Sequence, residues 1–467
     1  MLVDLCHPAR ATSSRAAEER QQKRVLMIGS VWPECSPSRP LSKKDSSAAG
    51  VRSWQLIRAM REQDWDIHVC SPAKPTAFTD SLRQGVHTLQ VRVNHDSFDG
   101  VVAQLKPDFV IFDRFLMEEQ FGWRVRQAWP SSICVIDTQD LHFIRRERMK
   151  ALEQGKSMEE IVDIHIPPTS PDMLREISSI RRSDLTLVVS SWEKELLVRR
   201  YGIPEHSLQL APFYYDEPPG LQELPGWDRR HNFFMLGNFR HPPNWDSFHW
   251  TFHHIWPLIR ARLPDAKLHV YGAYPDKASV LLSSADKGFV VKGVLPPERL
   301  HSTIRRHRVN LAPLRFGAGI KGKIADGWWS GLPCVTTPVG AEGMQSVTDW
   351  GGAIGRTAEE IADRAVALYS DQEHWSRAQM RGRALVEELF SHRVNAPQLI
   401  RSLNQAAARG SNAARFAQVE ALGHLVLADI VVAPGPGEMD LDLALVYYNS
   451  NKANEARALP SPSGTIA

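Results

Sequence analysis

The sequence predicts an α/β protein with two similar domains, each built on a parallel β-sheet, that face each other across a cleft. Apolar runs such as RVLMIGS and SICVID are continuous rather than alternating, which is typical of parallel strands buried on both faces. Segments with helical spacing separate these runs. A proline-rich segment interrupts this rhythm once near the middle of the chain, which indicates a boundary between two domains.

Length and composition exclude several classes of protein. The chain has 467 residues, more than one ordinary core holds, and a globular composition with 43% hydrophobic and 23% charged residues. A formal net charge of +3 gives no basic field, so no nucleic-acid partner is predicted. Because no apolar run reaches the ~18 residues that span a bilayer, no transmembrane segment is predicted.

The cysteines indicate the compartment. The five cysteines form no CxxC pair, and three of them lie in apolar strand-like runs. This pattern is typical of reduced core thiols rather than of a secreted disulfide framework. We therefore expect a cytoplasmic protein, with peripheral attachment to a membrane left open.

The first domain is predicted over residues 24–210. Its strands RVLMI, DIHVC, DFVIFD, SICVID and DLTLVV alternate with helices. Ligands of parallel sheets bind beyond the carboxyl ends of the strands, so residues such as Asp113, Asp140 and His142 are candidates for a site. The charged segment RRERMKALEQGKSMEE is interpreted as a helix with a solvated face. Residues 1–23 are expected to be a disordered leader, since Glu18 and Glu19 argue against a transit peptide.

Residues 211–231, APFYYDEPPGLQELPGWDRRH, are predicted to link the two domains. The second domain then spans residues 232–406, with strands NFFML, KLHVYG, GFVVKG, VNLAPL and PCVTT. A C-terminal extension, residues 407–467, is expected to be partly disordered.

The segment RFGAGIKGKIADGWWSGLPCVTTPVGAEG carries the clearest chemical signal. A strand ends in a loop that contains Gly317, Gly319, Lys321 and Lys323, and a helix follows. Glycines let backbone amides approach a ligand, and a helix N-terminus offers unpaired N–H groups. The loop therefore predicts an anion pocket suited to phosphate or diphosphate. Glu342, at the tip of the next strand, could bind hydroxyls of a sugar or ribose. The alternative is that these glycines only permit turns and that the lysines are only solvated.

Three segments resemble family 4 glycosyltransferases (glycosyl transferases group 1): LAPLRFGAGIKGKIADGWWSGLPCVTTPVGAEGM, FFMLGNFRHPPNWDSFHWTFHHIWPLIRARLPDAKLHVYG and SDLTLVVSSWEKELLVRRYGIP. The likeness covers roughly residues 24–406. It implies the GT-B fold, in which two Rossmann-like domains hold parallel sheets facing across a cleft. It also implies a retaining, metal-independent enzyme of the hexosyltransferase type. Such an enzyme moves a sugar from a nucleotide-sugar donor to a hydroxyl acceptor (a glycan, lipid or protein) without a cofactor.

The resemblance implies donor-binding roles for several residues. Gly50 and Arg240 are expected beside the diphosphate, together with Gly317, Gly319, Lys321 and Lys323, and His241 is a lesser candidate. Asp326 occupies the second position of the family's Glu-x7-Glu pattern, where ribose hydroxyls bind. The first position of that pattern is Ala318, which has no carboxylate.

The resemblance also places catalytic residues in the first domain. Asp140 matches the aspartate of a His-Asp pair, while Gln139 occupies the histidine position. His142 is expected to approach the sugar instead. Asp140 and His142 are therefore the predicted catalytic residues, and no metal-binding residue is predicted.

These departures from the family pattern leave an alternative open: a catalytically impaired nucleotide-sugar-binding or scaffolding protein on the same fold. A GT-B sugar-nucleotide epimerase is a minor alternative. An oxidoreductase is disfavoured because MIGSVWPECSPS lacks GxGxxG after the first strand. Zinc at His249, His253 and His254 is also disfavoured, since the segment lacks an HExxH glutamate and reads as a packing helix.

Overall fold

The computed structural model describes residues 22–33 and 48–412, except 76–78, 80–81, 83–84, 276 and 345–349. Nearly all of the predicted leader and most of the predicted C-terminal extension lie outside these described residues. The described chain forms two parallel sheets with helices between the strands, which confirms the α/β class.

The first sheet has seven parallel strands in the order β3-β2-β1-β4-β5-β6-β7. The strands are β1 Arg24–Ile28, β2 Asp66–Ser71, β3 His87–Gln90, β4 Phe109–Asp113, β5 Ile133–Asp137, β6 Leu185–Val188 and β7 Leu208–Leu210. All five residues of β4 and of β5 are buried, as expected for central strands covered on both faces. The strand order reverses between β1 and β4, which opens a crevice at their carboxyl ends.

Helices connect these strands on both faces. The α-helices are Ala48–Arg61, Ser97–Leu105, Phe115–Met117, Trp123–Ala128, His142–Glu153, Met158–Val162, Pro171–Arg182 and Ser191–Tyr201. A π-helical turn, Glu118–Gly122, joins the third and fourth of them, and a 3₁₀ turn, Glu205–Ser207, precedes β7.

The second sheet has six parallel strands in the order β10-β9-β8-β11-β12-β13. The strands are β8 Phe233–Leu236, β9 Leu268–Tyr271, β10 Phe289–Gly293, β11 Val309–Ala312, β12 Cys334–Thr336 and β13 Gly352–Ile354. Its α-helices are Pro242–Trp250, Trp256–Arg262, Lys277–Leu281, Leu300–Ile304, Gly322–Trp329, Pro338–Ala341, Ala358–Ser370 and Gln372–Phe390, and the last helix of the described chain, His392–Arg409, follows them. The π turn Thr251–Ile255 and three 3₁₀ turns, Leu221–Glu223, Trp227–Arg229 and Pro297–Arg299, complete this part.

The chain crosses between the two halves twice. It first crosses through the predicted linker, where Phe213 and Tyr214 are buried. It returns at Ser391, next to Tyr215, and the backbone N–H of His392 donates to the carbonyl of Tyr215 at 2.8 Å. The last helix then packs Leu399 and Leu403 into the core of the first sheet. Residues 392–406, which the sequence analysis assigned to the second domain, therefore lie on the first.

Two further features bear on the expectations from sequence. Cys70, Cys134 and Cys334 are buried and unpaired on β2, β5 and β12, as the strand-like runs predicted. Within the described ranges, no helix combines the length and the apolar character needed to cross a membrane.

Candidate active site

The turn after β5 and the loop after β11 meet between the two sheets. The loop after β11 places Gly317 at φ 151° and Gly319 at φ 65°, both in the region that favours glycine. A Cβ built on Gly319 would lie 2.8 Å from Cβ of Asp140 and 3.2 Å from the carbonyl oxygen of Gln139. The glycine-rich loop thus packs directly on the turn after β5. The structure therefore brings together the two segments that the sequence predicted to carry the donor-binding and catalytic residues.

Two lysines stand at the start of the helix that follows this loop, Gly322–Trp329. Nζ of Lys321 donates to the carbonyl of Ala318 at 3.2 Å and to that of Gly319. Nζ of Lys323 donates to Oδ1 of Asn244 at 2.6 Å. Burial lowers the pKa of Lys321 to about 8 and that of Lys323 to about 7. Two crowded, desolvated ammonium groups at a helix N-terminus would gain from the arrival of an anion.

Asp140 forms an ionic cluster on the opposite wall. Its Oδ1 lies 3.1 Å from Nε2 of His142, and its Oδ2 lies 2.8 Å from Nε of Arg145. Burial favours the protonated acid, but the charges of Arg145 and His142 outweigh it and hold the pKa of Asp140 below its ordinary value. His142 is 5% exposed and packs edge-on against Phe115. Both predicted catalytic residues therefore lie beside the glycine-rich loop; their catalytic roles remain predictions.

Two buried carboxyl groups fasten the turn that carries Asp140. Oε1 of Glu193 accepts from the backbone N–H of Leu141 at 3.1 Å, and Oε2 of Glu176 accepts from that of Phe143 at 3.0 Å. Burial and the neighbouring charge of Asp140 raise the pKa of Glu193 to about 7; burial also raises that of Glu176 to about 8. Both groups cap the helix His142–Glu153, whose N-terminus faces the cleft. Sequence reasoning missed Glu193, although it follows the strand end at Ser190.

Arg148 and Glu342 join the two halves of the molecule. The guanidinium of Arg148 donates to both carboxylate oxygens of Glu342, at 2.8 and 2.6 Å, and to the carbonyl of Gly317 at 2.9 Å. Arg148 is fully buried, so the interpretation of its segment as a solvated face is wrong at this position. Both oxygens of Glu342 are engaged by Arg148 in this structure, and its predicted role in binding hydroxyls remains a prediction. The missed signal was the position of this helix at the carboxyl end of β5.

Asp326 lies on the helix after the loop, as predicted, but it already has a partner. Its Oδ1 accepts from the hydroxyl of Tyr215, on the interdomain segment, at 2.7 Å. Burial raises the pKa of Asp326 to about 6, although this hydrogen bond opposes the shift. A ribose hydroxyl would have to share this carboxylate with Tyr215 or bind its other oxygen.

The loop after β8 carries Arg240 and His241. Arg240 is exposed and stacks its guanidinium over the ring of Tyr274, with 4.2 Å to the ring centroid. For His241, desolvation by the cleft walls and then the charge of Arg145 lower the pKa to about 4, and Lys323 adds to the effect. The lesser candidate from sequence, His241, thus lies among the cations of the cleft. The structure does not bring Arg240 into that group.

Gly50 and Gln139 lie deeper in the first domain. Gly50 lies in the first turn of the helix Ala48–Arg61 and lines a small cavity together with Gly29 and Asp113. Gln139, in the family's histidine position, donates from Nε2 to Oδ1 of Asp113 at 3.0 Å and to Oδ2 of Asp137 at 3.1 Å. An amide donor between two carboxylates is a stable arrangement because it relieves their mutual repulsion.

Comparisons with known proteins agree with this geometry. Residues 230–371 match the family model of glycosyl transferases group 1. Sucrose-phosphate synthase from Thermosynechococcus elongatus has a similar structure, with a TM-score of 0.63 at 14% identity over 83% of this chain and 100% of that one. A glycosyltransferase from Rickettsia africae ESF-5 gives 0.58 at 10% identity over 83% and 99%. HepE from Anabaena, solved with UDP and glucose, gives 0.57 at 11% identity over 82% and 100%. No curated protein sequence matches the chain.

These matches confirm two predictions. The fold is GT-B, with parallel sheets of seven and six strands on either side of the cleft. The resemblance to group 1 glycosyltransferases is confirmed over residues 230–371, which contain the glycine-rich loop and both of its lysines.

Proposed function

We propose that this protein is a retaining glycosyltransferase that moves a sugar from a nucleotide-sugar donor to a hydroxyl acceptor. The observation that carries this proposal is the meeting of Lys321 and the glycine-rich loop with Asp140 and His142 in one cleft. The family match supports the donor side, since it spans that loop. Neighbours of the same fold were solved with UDP or UDP-glucose, which supports a uridine nucleotide as the first donor to try.

The loop suits the charge that develops when a nucleoside diphosphate leaves. Negative charge grows on the β-phosphate as the glycosidic bond lengthens, and fixed donors stabilise it most when they are already in place. An ammonium group has three N–H donors. Two carbonyl contacts leave Lys321 one N–H for a phosphate oxygen. Lys323 and the amides at the start of the helix Gly322–Trp329 would add to that stabilisation.

The opposite wall would orient the sugar. Asp140 is held as an anion between His142 and Arg145, so it fixes the imidazole of His142 beside the loop. We propose that His142 contacts the sugar hydroxyls and that closure of the cleft excludes water from the reacting carbon. The nucleotide sugar is the donor substrate, and in this proposal the reaction needs neither a metal ion nor another cofactor.

Ligand binding tests the donor site first. We expect UDP, GDP or ADP, or one of their sugar conjugates, to raise the thermal midpoint of the full-length protein, because a ligand that binds only the folded state stabilises it. Lys321→Met should clearly reduce that shift at the same ligand concentration. Lys267→Met, on the second domain just before β9, is the matched control and should retain it. No shift with any nucleotide would contradict the proposal.

Product analysis tests the reaction itself. With an acceptor panel of glycans, lipids and peptides, we expect nucleoside diphosphate release and a glycosylated product. The NMR coupling constant of the new anomeric proton should show the configuration of the donor. Activity after EDTA treatment should equal that of the untreated protein. An inverted product would refute retention, and loss of activity restored by a divalent ion would refute metal independence.

A second candidate is a protein that binds nucleotide sugars without transferring them. Three observations favour it: Ala318 has no carboxylate, Asp326 is bound by Tyr215, and both oxygens of Glu342 are engaged by Arg148. Saturable nucleotide binding, combined with no hydrolysis and no transfer across the acceptor panel, would favour this candidate over the enzyme.

A further inference from the structure

Three metal-ligating side chains converge at the edge of the first sheet, on β2 and β3. Asp66 and His68 lie two residues apart on β2 and therefore share one face, while the neighbouring residues of that strand are buried. His87, the first residue of β3, is the register partner of His68. The three ligand atoms all lie within 4.8 Å of one another.

The three side chains are arranged much as they would be if they bound one metal ion. Nε2 of His68 lies 3.0 Å from Oδ2 of Asp66, and Nε2 of His87 lies 3.4 Å from Oδ1. The two imidazole rings stack with centroids 4.5 Å apart and planes 19° apart, so both Nε2 atoms are directed toward one carboxylate. In a tetrahedral zinc site, bonds of about 2.1 Å place ligand atoms about 3.4 Å apart. The observed 3.4 Å spacing matches that value, and the 3.0 Å spacing is somewhat shorter.

The position of this group separates it from the cleft. Asp66 and His87 are the first residues of their parallel strands, whereas the candidate active site lies at the carboxyl ends. The backbone N–H of Asp66 donates to the carbonyl of Lys23 at 2.8 Å, so the start of β2 is held against the residue that precedes β1. Side-chain exposures of 27% for Asp66, 25% for His68 and 71% for His87 leave the group open to solvent, so an ion could enter.

We propose that Asp66, His68 and His87 bind a divalent transition-metal ion, with Zn²⁺ the expected ion and water completing its coordination. Two imidazoles and one carboxylate form a borderline donor set that zinc accepts, while Ca²⁺ and Mg²⁺ prefer oxygen ligands only. Because the ligands come from both strands, the ion would pin β3 to β2. The strand β3 has four residues and, among the described strands, pairs with β2 alone, so this cross-link would protect the sheet edge. The proposal does not depend on the proposed sugar transfer.

Zinc titration of the full-length protein tests this proposal. The protein is freed of any histidine tag and stripped with EDTA, and ZnCl₂ is then added in a calorimeter. We expect one saturable site, and a higher thermal midpoint when zinc is bound. His87→Ala and His68→Ala should each weaken binding by at least about tenfold, since even a group that only supports a metal ligand typically has that effect. Co²⁺ should give the visible absorption of a four-coordinate site in the wild type and lose it in both variants.

Two comparisons keep the result interpretable. His249 and His253 lie one helical turn apart on the other domain, and their ring centroids are 5.9 Å apart. Because this pair is not part of the proposed site, His253→Ala should leave the zinc affinity unchanged. Circular dichroism checks that each variant folds, and Asp66→Asn, which keeps the size of the side chain, should also weaken zinc binding. The proposal is overturned if the wild type shows no saturable zinc site. It is equally overturned if binding survives both His68→Ala and His87→Ala, or if only His253→Ala removes it.

Discussion

The affinity for a nucleoside diphosphate is expected to fall between pH 7 and pH 9, and Lys321 is the group responsible. Burial lowers the pKa of this lysine to about 8, against the opposing effect of the Glu342 carboxylate. Only the ammonium form carries the charge that attracts a phosphate. The affinity that Lys321 contributes is therefore fully present below its pKa and is lost as the pH rises through it.

The size of this effect follows from the pKa and from the strength of one hydrogen bond. A group with a pKa of about 8 is roughly nine-tenths protonated at pH 7 and roughly one-tenth at pH 9. A hydrogen bond to a charged group contributes about 1.5 to 3 kcal/mol, so the two forms differ in affinity by about 10- to 100-fold. Weighting these forms by their populations gives a dissociation constant about five to ten times higher at pH 9 from the titration of Lys321 alone.

Calorimetry with UDP at pH 7, 8 and 9 measures this change. The last phosphate pKa of such ligands is near 6, so the charge on the phosphates stays nearly constant. Lys321→Met retains the apolar stem and should lose this part of the pH dependence, while Lys323, whose pKa is about 7, still titrates. Lys321→Arg should stay charged and keep only the pH dependence that Lys323 contributes. The reasoning is refuted if the wild-type affinity is flat over this range, or if Lys321→Met shows the same slope.

Three further predictions concern stability. Arg148→Ala leaves a buried carboxylate without its partner and should lower the free energy of unfolding by about 3 to 5 kcal/mol in urea denaturation; a change below about 1 kcal/mol would contradict a buried pair. Glu193→Gln keeps an acceptor for the N–H of Leu141 but removes a carboxyl group whose folded pKa, about 7, is raised above its unfolded value. A carboxyl group with a raised folded pKa destabilises the fold only when the pH exceeds its pKa in the unfolded chain. The variant should therefore be more stable than the wild type at pH 8 but not at pH 4. An equal gain in stability at both pH values would contradict this. Gly319→Ala should lower the thermal midpoint more than Gly155→Ala. Both glycines have positive φ, but only at Gly319 would the new Cβ press against the opposite domain. Equal decreases would mean that backbone strain alone causes the loss and would contradict the close contact.

Much of the fold could be predicted because it is encoded locally. Continuous apolar runs such as those of β4 and β5 predict buried parallel strands without knowledge of their neighbours. The glycine-rich loop could also be located, because a strand, a loop with lysines and a helix succeed one another in sequence. The same local logic placed Asp140 and His142 beyond the end of β5, where the structure has them. The resemblance to group 1 glycosyltransferases rested on these local motifs as well.

The partners of the charged side chains could not be predicted in this way. Arg148 lies in a segment rich in charges, and such a pattern normally indicates a solvated helix face. Its burial arises only when the second domain docks and brings Glu342, 194 residues away in sequence, against it. Tyr215 likewise reaches Asp326 across 111 residues. A sequence pattern reports which face of an element is apolar, but not what later packs on its polar face.

The sequence by itself determined the class of fold, ten of the thirteen strands in the described chain and the position of the glycine-rich loop; the short strands β3, β7 and β13 were not predicted. Hydrophobic periodicity and glycine placement are properties of neighbouring residues, so they can be read directly. Tertiary structure alone decided that the last helix returns to the first domain, that Glu342 is paired, and that Lys321 and Lys323 are desolvated enough to lower their pKa values. These properties depend on how closely distant segments exclude water from one another, and that exclusion exists only once the two sheets face each other.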